Sequence, residues 1–149
     1  VWLFGWRKAL AMTAEVFAVT KTPAEWQAIL TPAQYAVLRG HGTERAGSSP
    51  LDKEKRPGVY HCVGCDLPLF DAAHKYDSGT GWPSFYQPIG PQAVGTQVDR
   101  GLFWQTRTEV HCARCGGHLG HVFPDGPPPT GQRYCMNGVV LNFKPKGAV

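Results

Sequence analysis

The apolar positions of this chain follow helical spacing up to about residue 40 and strand-like patterns from residue 59 onward. Thr22 and Thr31 each precede a proline and stand three residues before Glu25 and Gln34, as in the capping box that begins many helices. Apolar residues then recur at helical spacing, which predicts two short helices with one buried face each. The residues of these faces are Trp26, Ile29 and Leu30 in the first helix and Tyr35 and Leu38 in the second.

From Val59 onward, short apolar runs separated by turn residues predict a mainly β domain. The 18 glycines and 13 prolines favour many short strands over long helices, because both residue types interrupt regular structure. We expect one domain over residues 21–149 after a tail over residues 1–20. Strands are predicted at residues 59–62, 94–98 and 102–110, from Val122, and in one long run at residues 132–143, with a hairpin turn at Asp99-Arg100-Gly101.

The formal net charge of +4 comes from basic residues that are scattered along the chain. They form no basic stripe interleaved with aromatic residues, so the pattern favours a mildly basic surface over nucleic-acid binding. Residues 1–12 are apolar but include Arg7 and Lys8, and this segment is too short to span a bilayer. We therefore expect neither a nucleic-acid nor a membrane partner, and we take a monomer as the starting assumption.

Four of the five cysteines form two Cys-x-x-Cys pairs, and the odd total argues against a fully paired disulfide framework. Glycines lie in or directly after these pairs, and two such turns can offer four thiolates to one tetrahedral zinc ion. Zinc with four protein ligands would be structural and would stabilise the fold across a long sequence gap. The predicted ligands are Cys62, Cys65, Cys112 and Cys115.

Two other arrangements could use the same cysteines. The pairs could be two redox dithiols or two disulfides, although a redox pair usually opens a helix and neither pair precedes a helical pattern. A second alternative is a local zinc site that leaves the first pair without partners. Its ligands would be Cys112, Cys115, His118 and His121.

The fifth cysteine, Cys135, lies in a predicted strand, where alternate residues share one face. Arg133 and Asn137 would therefore point to the same side as the thiol. An arginine beside a thiol lowers the thiol pKa and favours the nucleophilic thiolate, and an asparagine can orient a polar substrate. The alternative is a buried core cysteine, which the arginine and asparagine disfavour because they need water or partners.

Two further motifs carry candidate site residues. His118 and His121 stand among glycines directly after the second cysteine pair and are followed by Phe123. Two histidines so close together are as consistent with a catalytic role as with a structural one. Trp82 lies between a glycine and a proline, which disfavours a helix, so it forms either the wall of an apolar pocket or a core residue on a rigid loop.

Taken together, these motifs resemble the B-type methionine sulfoxide reductases, which reduce the R epimer of methionine sulfoxide. The resemblance runs from about residue 21 to residue 144. Each motif is short, but their order and joint presence are highly specific. The matching stretches are Gly42-Thr43-Glu44, Cys62–Cys65 with Leu69-Phe70, Asp77–Phe85, Cys112–Phe123 and Arg133–Asn137.

This resemblance implies two antiparallel sheets that lean together like a tent, with the zinc away from the active site. It implies that Cys135 is the nucleophile and becomes a sulfenic acid as methionine is released. Arg133 would support the cysteine and pair with Asp125. Trp82 would form the pocket wall against the ε-methyl group, and Phe123 would line the pocket. The sulfoxide oxygen would be held, directly or through water, by His118, His121 and Asn137.

One position departs from many members of that family. They carry a resolving cysteine just before the Gly-Trp-Pro-Ser-Phe motif, where this chain has Thr80. Since the other four cysteines are assigned to zinc, we expect no internal disulfide to Cys135. An external thiol, with thioredoxin as the expected reductant, would reduce the sulfenic acid directly. A thiol cycle and a reduced zinc site suit the cytoplasm, with an exported or organellar form as the alternative.

Two alternative functions could use the same motifs. A zinc-stapled β module could bind a ligand in an aromatic pocket without catalysis, but it would not need a reactive thiol beside Arg133 and Asn137. A zinc-ribbon nucleic-acid binder would need a basic, aromatic groove, and the sequence does not indicate one. The resemblance implies methionine sulfoxide as the substrate, either free or in oxidised proteins and peptides.

Overall fold

The computed structural model describes residues 16–100 and 106–147, and its two α-helices begin at the predicted threonine caps. They are α1 (Pro23–Ile29) and α2 (Pro32–Leu38). At α1 the Glu25 backbone N–H donates to Thr22 Oγ1 at 3.2 Å, and the Thr22 N–H donates to Glu25 Oε1 at 2.8 Å. The predicted apolar face is wrong at Ile29, which is 54% exposed, because only Trp26 and Leu30 of that face reach the core.

The strands form two antiparallel sheets, as predicted. In chain order they are β1 (Gly58–Cys62), β2 (Pro68–Asp71), β3 (Lys75–Tyr76), β4 (Ser84–Phe85), β5 (Val94–Arg100), β6 (Thr106–Cys112), β7 (His118–Phe123), β8 (Arg133–Met136) and β9 (Leu141–Pro145). One sheet has three strands in the order β2-β1-β9, and the other has six in the order β3-β4-β8-β7-β6-β5. Short 3-10 helices lie at Pro50–Lys53, Ala72–His74 and Gly138–Val140.

An aromatic cluster joins the two sheets. Phe70 of the three-stranded sheet stacks on Phe85 of the six-stranded sheet with ring centroids 4.4 Å apart. Tyr60 meets Phe85 edge to face at 5.1 Å and lies 4.7 Å from Phe143. Tyr60, Phe70 and Phe85 are fully buried, so the apolar area that they remove from water contributes strongly to holding the sheets together.

The predicted hairpin turn at Asp99-Arg100-Gly101 is wrong for the two of its residues that the structure describes. β5 continues through Arg100, which pairs with Thr106, and Asp99 pairs with Arg107. The Arg107 Nη2 group donates to Asp99 Oδ2 at 3.3 Å, and such opposite-charge pairs favour the extended strand. Gly101 lies outside the described residues.

The predicted single strand at residues 132–143 is also wrong, because the chain crosses from one sheet to the other within it. β8 ends at Met136 in the six-stranded sheet, and β9 begins at Leu141 in the three-stranded sheet. At the crossing, a Cβ on Gly138 would lie 2.0 Å from the Ser49 Oγ atom, so only glycine fits there. In contrast, β7 begins earlier than predicted, at His118 rather than Val122, and carries both histidines.

The N-terminal helices pack on the two cysteine turns. A Cβ built on Gly64 would lie 2.7 Å from Leu38 Cδ2 and 3.0 Å from Trp26 Cζ3. Upstream of the helices, the Val19 N–H donates to the Arg114 carbonyl at 3.0 Å. Contacts with the domain thus begin before residue 21, and the boundary predicted there stays a prediction. Among the described residues, no helix is long and apolar enough to cross a bilayer.

Candidate active site and metal centre

The four cysteines of the Cys-x-x-Cys pairs come together at one point between the two sheets. The first pair begins at the last residue of β1 in the three-stranded sheet, and the second pair begins at the last residue of β6 and leads into β7 in the six-stranded sheet. All four sulfur atoms lie within 4.8 Å of one another. The predicted ligand set is therefore one cluster and forms a possible metal site, and its members are Cys62, Cys65, Cys112 and Cys115.

Three observations show that this cluster fits a metal ion. Cys62 and Cys115 have their sulfur atoms 3.7 Å apart, and those of Cys65 and Cys112 are 3.4 Å apart, close to the spacing of about 3.8 Å that Zn–S bonds of about 2.3 Å give in a tetrahedron. None of the four forms a disulfide. The Gly64 N–H also points to Cys62 Sγ at 3.4 Å, as expected when a turn supports a thiolate.

Cys135 lies in a different place, in a cavity of about 290 Å³ on the six-stranded sheet. The predicted site residues that line this cavity are Trp82, His121, Phe123, Arg133, Cys135 and Asn137. Thr43, Thr80, Arg107 and Gly120 complete the lining. A larger groove of about 850 Å³ runs beside α2 and β9, but neither Cys135 nor Trp82 lines it.

Strand register explains why these residues meet. β8 lies between β4 and β7, so Cys135 has the Cα of Ser84 opposite on one side and that of His121 on the other. In the same register, Arg133 lies opposite Phe123. Directly opposed residues in antiparallel strands share a face of the sheet, which brings the two predicted motifs into one cavity.

The environment of Cys135 corrects the expectation for its thiol. Burial raises the pKa of Cys135 above its ordinary value, and the charge of Glu44 adds to this. Arg133 and a hydrogen bond with Thr80 lower the pKa but do not outweigh the burial. Arg133 therefore acts in the predicted direction, but burial is the larger effect and the net shift favours the neutral thiol.

The predicted partner of Arg133 is confirmed. Its Nε and Nη2 groups donate to the two carboxylate oxygens of Asp125 at 2.9 and 3.1 Å. The guanidinium also lies over the Phe123 ring, with Cζ 4.4 Å from the centroid. This two-point ion pair and the ring contact fix the orientation of Arg133 beside the thiol.

His121 lies in the cavity and is held by a residue that the sequence analysis placed in a turn. Its Nε2–H donates to Asp99 Oδ2 at 2.9 Å, and Arg107 also donates to that oxygen at 3.3 Å. Burial lowers the pKa of His121, and the Asp99 hydrogen bond opposes this. Asp99 thus determines which nitrogen of His121 carries the proton in the neutral ring.

His118 does not line the cavity. It is buried next to His121, with ring centroids 5.3 Å apart, and its Nδ1–H donates to Glu109 Oε2 at 2.7 Å. The Nδ1 atoms of His41 and His111 lie 3.1 and 3.3 Å from the same carboxylate. Burial raises the pKa of Glu109, but hydrogen bonds from His111 and His118 outweigh it, so the pKa is well below its ordinary value. Cys112 and Cys115 cluster with the first cysteine pair and not with His118 and His121, so the alternative zinc site that used these histidines is wrong.

Glu44 connects two of the predicted site residues, a role that the sequence analysis missed. Its N–H donates to Asn137 Oδ1 at 2.9 Å, and its carbonyl accepts from Trp82 Nε1 at 3.1 Å. The Asn137 amide also donates to the Leu119 carbonyl at 2.9 Å. Asn137 thus has both ends of its amide engaged with the backbone, and its contacts fix the loop that carries Glu44 against the cavity.

Comparison with known proteins agrees with this arrangement. Residues 30–145 match the family model described as the SelR domain, so the chain belongs to that family. A peptide methionine sulfoxide reductase MsrB of Pseudomonas entomophila (strain L48) is 57% identical over 128 residues, which cover 86% of this chain and 97% of that protein. A protein of the same name from Agrobacterium fabrum (strain C58 / ATCC 33970) is 52% identical over 127 residues, which cover 85% of this chain and 93% of that protein.

Proposed function

We propose that this chain is a peptide-methionine (R)-S-oxide reductase in which Cys135 is the nucleophile. The observation that carries the proposal is one cavity that holds a thiol, an apolar wall and a histidine with an assigned proton. The family membership supports methionine sulfoxide as the substrate. Free and protein-bound methionine sulfoxide share the recognised group, and both are proposed substrates.

The cavity can recognise the two ends of a sulfoxide group differently. The indole of Trp82 is fixed by its Nε1–H bond to the Glu44 carbonyl, so it offers a rigid apolar wall to the ε-methyl group. Phe123 extends this wall below Arg133. We place the sulfoxide oxygen toward His121, because it is the cavity histidine. One epimer alone would then present its sulfur to Cys135.

The reaction we propose transfers oxygen from the substrate sulfur to Cys135. The thiolate attacks the sulfoxide sulfur and forms an S–S bond while the oxygen is protonated. This S–S bond and the methionine S–O bond then break as a Cys135 S–O bond forms, which releases methionine and leaves a sulfenic acid. Methionine sulfur is reduced by two electrons, and Cys135 is oxidised by two electrons to a sulfenic acid. Proton donation to the oxygen is needed because an unprotonated sulfoxide oxygen is a poor leaving group.

His121 is the proposed proton donor, and Asp99 orients its ring. Asp99 accepts from Nε2, so His121 would donate to the sulfoxide oxygen from Nδ1 when the ring is protonated at both nitrogens. Asn137 supports the site through the loop that carries Glu44. His118 was predicted to hold the oxygen, and from its position we propose that it acts behind His121, as a support held by Glu109.

The second half of the cycle is proposed to use an external thiol. Thr80 stands in the cavity where many family members carry a resolving cysteine, and the other cysteines are engaged in the metal cluster. A thiol of thioredoxin or another dithiol would attack the sulfenic acid, release water and form a mixed disulfide with Cys135. Its second thiol would then free Cys135. Such a cycle suits the reducing cytoplasm.

Zinc is the metal we propose for the four-cysteine cluster, because four thiolates in a tetrahedral arrangement suit it best. The metal would supply structural cross-linking, not chemistry at the sulfoxide. The cysteine pairs bring β1 of one sheet next to β6 and β7 of the other. The cluster would therefore hold the sheet that carries Cys135 in position.

The test is turnover of the two sulfoxide epimers with dithiothreitol as reductant, by the metal-loaded protein and by Cys135→Ser. We expect methionine from the R epimer alone, and none above background from the variant. Mass spectrometry should also find a sulfenic acid at Cys135, trapped with dimedone, after substrate is added without reductant. Absence of turnover by folded protein would favour a ligand-binding module, and an internal disulfide to Cys135 would contradict the proposed recycling.

A further inference from the structure

Three hydroxyl groups form a chain from the Cys135 cavity into the six-stranded sheet. Thr80 lines the cavity with Cys135, and its Oγ1 lies 2.8 Å from Ser78 Oγ. The Ser78 oxygen lies 2.7 Å from Ser84 Oγ, which reaches the Trp82 carbonyl at 3.1 Å. Ser84 is also directly opposite Cys135 across β4 and β8. The hydroxyl chain therefore begins and ends beside the same residue.

The direction in which these three hydroxyl groups donate their hydrogen bonds depends on the protonation of Cys135, because each hydroxyl has one proton to donate. With a neutral thiol, Ser84 donates to the Trp82 carbonyl and Ser78 donates to Ser84. Thr80 then donates to Ser78, and its oxygen is free to accept from the thiol. A thiolate can only accept, so it requires the Thr80 proton to turn toward the sulfur. Ser78 then donates to Thr80, Ser84 donates to Ser78, and the bond to the Trp82 carbonyl is lost.

The oxygen atoms can keep their positions during this reversal. The Thr80 N–H points to Ser78 Oγ at 3.4 Å, and the Trp82 N–H points to Thr80 Oγ1 at 3.4 Å. These backbone donors are the same in both arrangements. Each hydroxyl oxygen has two lone pairs, which suffice for its acceptor contacts in both directions. Only the three hydroxyl protons have to rotate.

We infer that Thr80, Ser78 and Ser84 form a positioning relay that reverses its hydrogen bonds when Cys135 ionises. The relay offers the thiolate a donor, but its reversal costs the bond from Ser84 to the Trp82 carbonyl. A role of the relay in catalysis rests on the proposed function. The relay itself can be tested without methionine sulfoxide. The threonine that replaces a resolving cysteine thus has a role of its own at the reactive sulfur.

Several charged or titratable groups besides the relay act on Cys135, and the variants used to test the relay leave all of them in place. Burial raises the pKa of Cys135, and Arg133 and the Thr80 hydrogen bond partly offset this, while the charge of Glu44 adds to the rise. The remaining charged or titratable groups near the thiol are Arg107 and His121 in the cavity and Tyr76 in β3.

The experiment is the pH dependence of alkylation of Cys135 by iodoacetamide, read by peptide mass spectrometry on metal-loaded protein without substrate. Thr80→Val removes the hydroxyl that donates to the thiolate. We expect the pH midpoint of Cys135 alkylation to rise by about one unit, which leaves about tenfold less thiolate at neutral pH. Thr80→Ser keeps the hydroxyl, so its midpoint should stay near that of the parent chain. Thr43→Val removes a hydroxyl from the same cavity outside the relay and is the matched control.

Ser84→Ala gives the sharper prediction, because it has the opposite sign. Without Ser84, ionisation no longer costs the bond to Trp82, so the midpoint should fall by about half a unit, with about threefold faster alkylation at neutral pH. Ser78→Ala also frees the Thr80 proton and should lower the midpoint too, which covers the case of an unfolded Ser84→Ala. Midpoints that move in the same direction for Thr80→Val and the serine variants, or that do not move, would overturn the relay. Epimer turnover by the parent chain tests the proposed function separately.

Discussion

Cysteine side chains have different surroundings in the metal cluster and in the Cys135 cavity. In the cluster, each sulfur faces other sulfurs at distances such as 3.4 and 3.7 Å, an arrangement that suits a shared cation. In the cavity, Cys135 faces Arg133, Thr80 and His121, and no sulfur competes for it among the lining residues. The surroundings of a cysteine, and not its residue type, therefore distinguish a member of a possible metal site from a single thiol in a cavity.

The two regions also arise from the sequence differently. Each Cys-x-x-Cys turn supplies two of the four sulfur atoms, so the spacing within each pair is set by neighbours along the chain. The cavity needs residues from β6, β7 and β8 and from the loops that carry Thr43, Trp82 and Asn137, which meet only through strand register and tertiary contacts. Variants should consequently affect stability in the first region and reactivity in the second, which the following predictions test from the largest expected effect to the smallest.

Cys112→Ser should have the largest effect, because it removes a fully buried ligand from the cluster. A structural metal site contributes on the order of 10 kcal/mol, comparable with the whole stability of a small domain. We expect loss of bound zinc and of a cooperative thermal transition, measured by elemental analysis and circular dichroism. Cys135→Ser is the control and should melt like the parent chain. A zinc-free Cys112→Ser protein with an unchanged Tm would show that the cluster is not structural.

Asp99→Asn should reduce kcat for the R sulfoxide by about tenfold to a hundredfold, because His121 loses the group that orients its proton. Asp99 raises the pKa of His121 against burial. If protonated His121 is the acid, activity falls as pH rises through its pKa, so this fall should move to lower pH in the variant. The pH profile of kcat measures this, and an unchanged profile would contradict the role of Asp99.

Glu109→Gln should reduce the free energy of unfolding at neutral pH by about 1–3 kcal/mol, because buried histidines lose their charged acceptor. The pKa of Glu109 is depressed in the folded state. Its contribution is therefore present above the unfolded pKa of about 4.3 and is lost as pH falls through the folded pKa. Urea unfolding between neutral and acidic pH should show a shallower loss of stability in the variant. If the free energy of unfolding changed with pH in the same way in both proteins, Glu109 would make no such pH-dependent contribution.

Arg133→Lys should have the smallest effect, a loss of roughly threefold in kcat/KM, because the positive charge is kept. The variant loses the two-point bond to Asp125 and the planar contact with Phe123, which orient the group. The thiol midpoint from iodoacetamide alkylation should shift little. A loss as large as that expected for Asp99→Asn would mean that geometry, and not charge, is the main contribution of Arg133.

Features that depend on neighbours along the chain are the ones that the sequence predicts most accurately. The threonine caps of α1 and α2 and the Cys-x-x-Cys turns are of this kind. The pair of Arg133 and Asp125 was also predicted, on the strength of the family resemblance, and is confirmed at 2.9 Å. In contrast, Asp99 was assigned to a turn, although it pairs across β5 and β6 and contacts His121.

Two further errors have the same physical origin. The run of apolar residues at 132–143 has the composition of one strand, but the chain bends after β8 because Asn137 bonds to Leu119 and to Glu44. These partners lie 18 and 93 residues away, so no local pattern reports them. His118 was expected in the cavity with His121, yet the Glu109 carboxylate on β6 holds it in the interior.

The sequence by itself determined the chemical inventory of this protein: two cysteine turns for a metal, one further cysteine beside arginine, and the capped helices that cover the turns. These features depend on residue type and short spacing, which the chain specifies directly. Tertiary structure alone decided which groups reach Cys135 and in what state. Register between strands, burial and hydrogen bonds between distant residues set the thiol pKa, the His121 proton and the Thr80 contact, because electrostatic effects depend on distance in space and not along the chain.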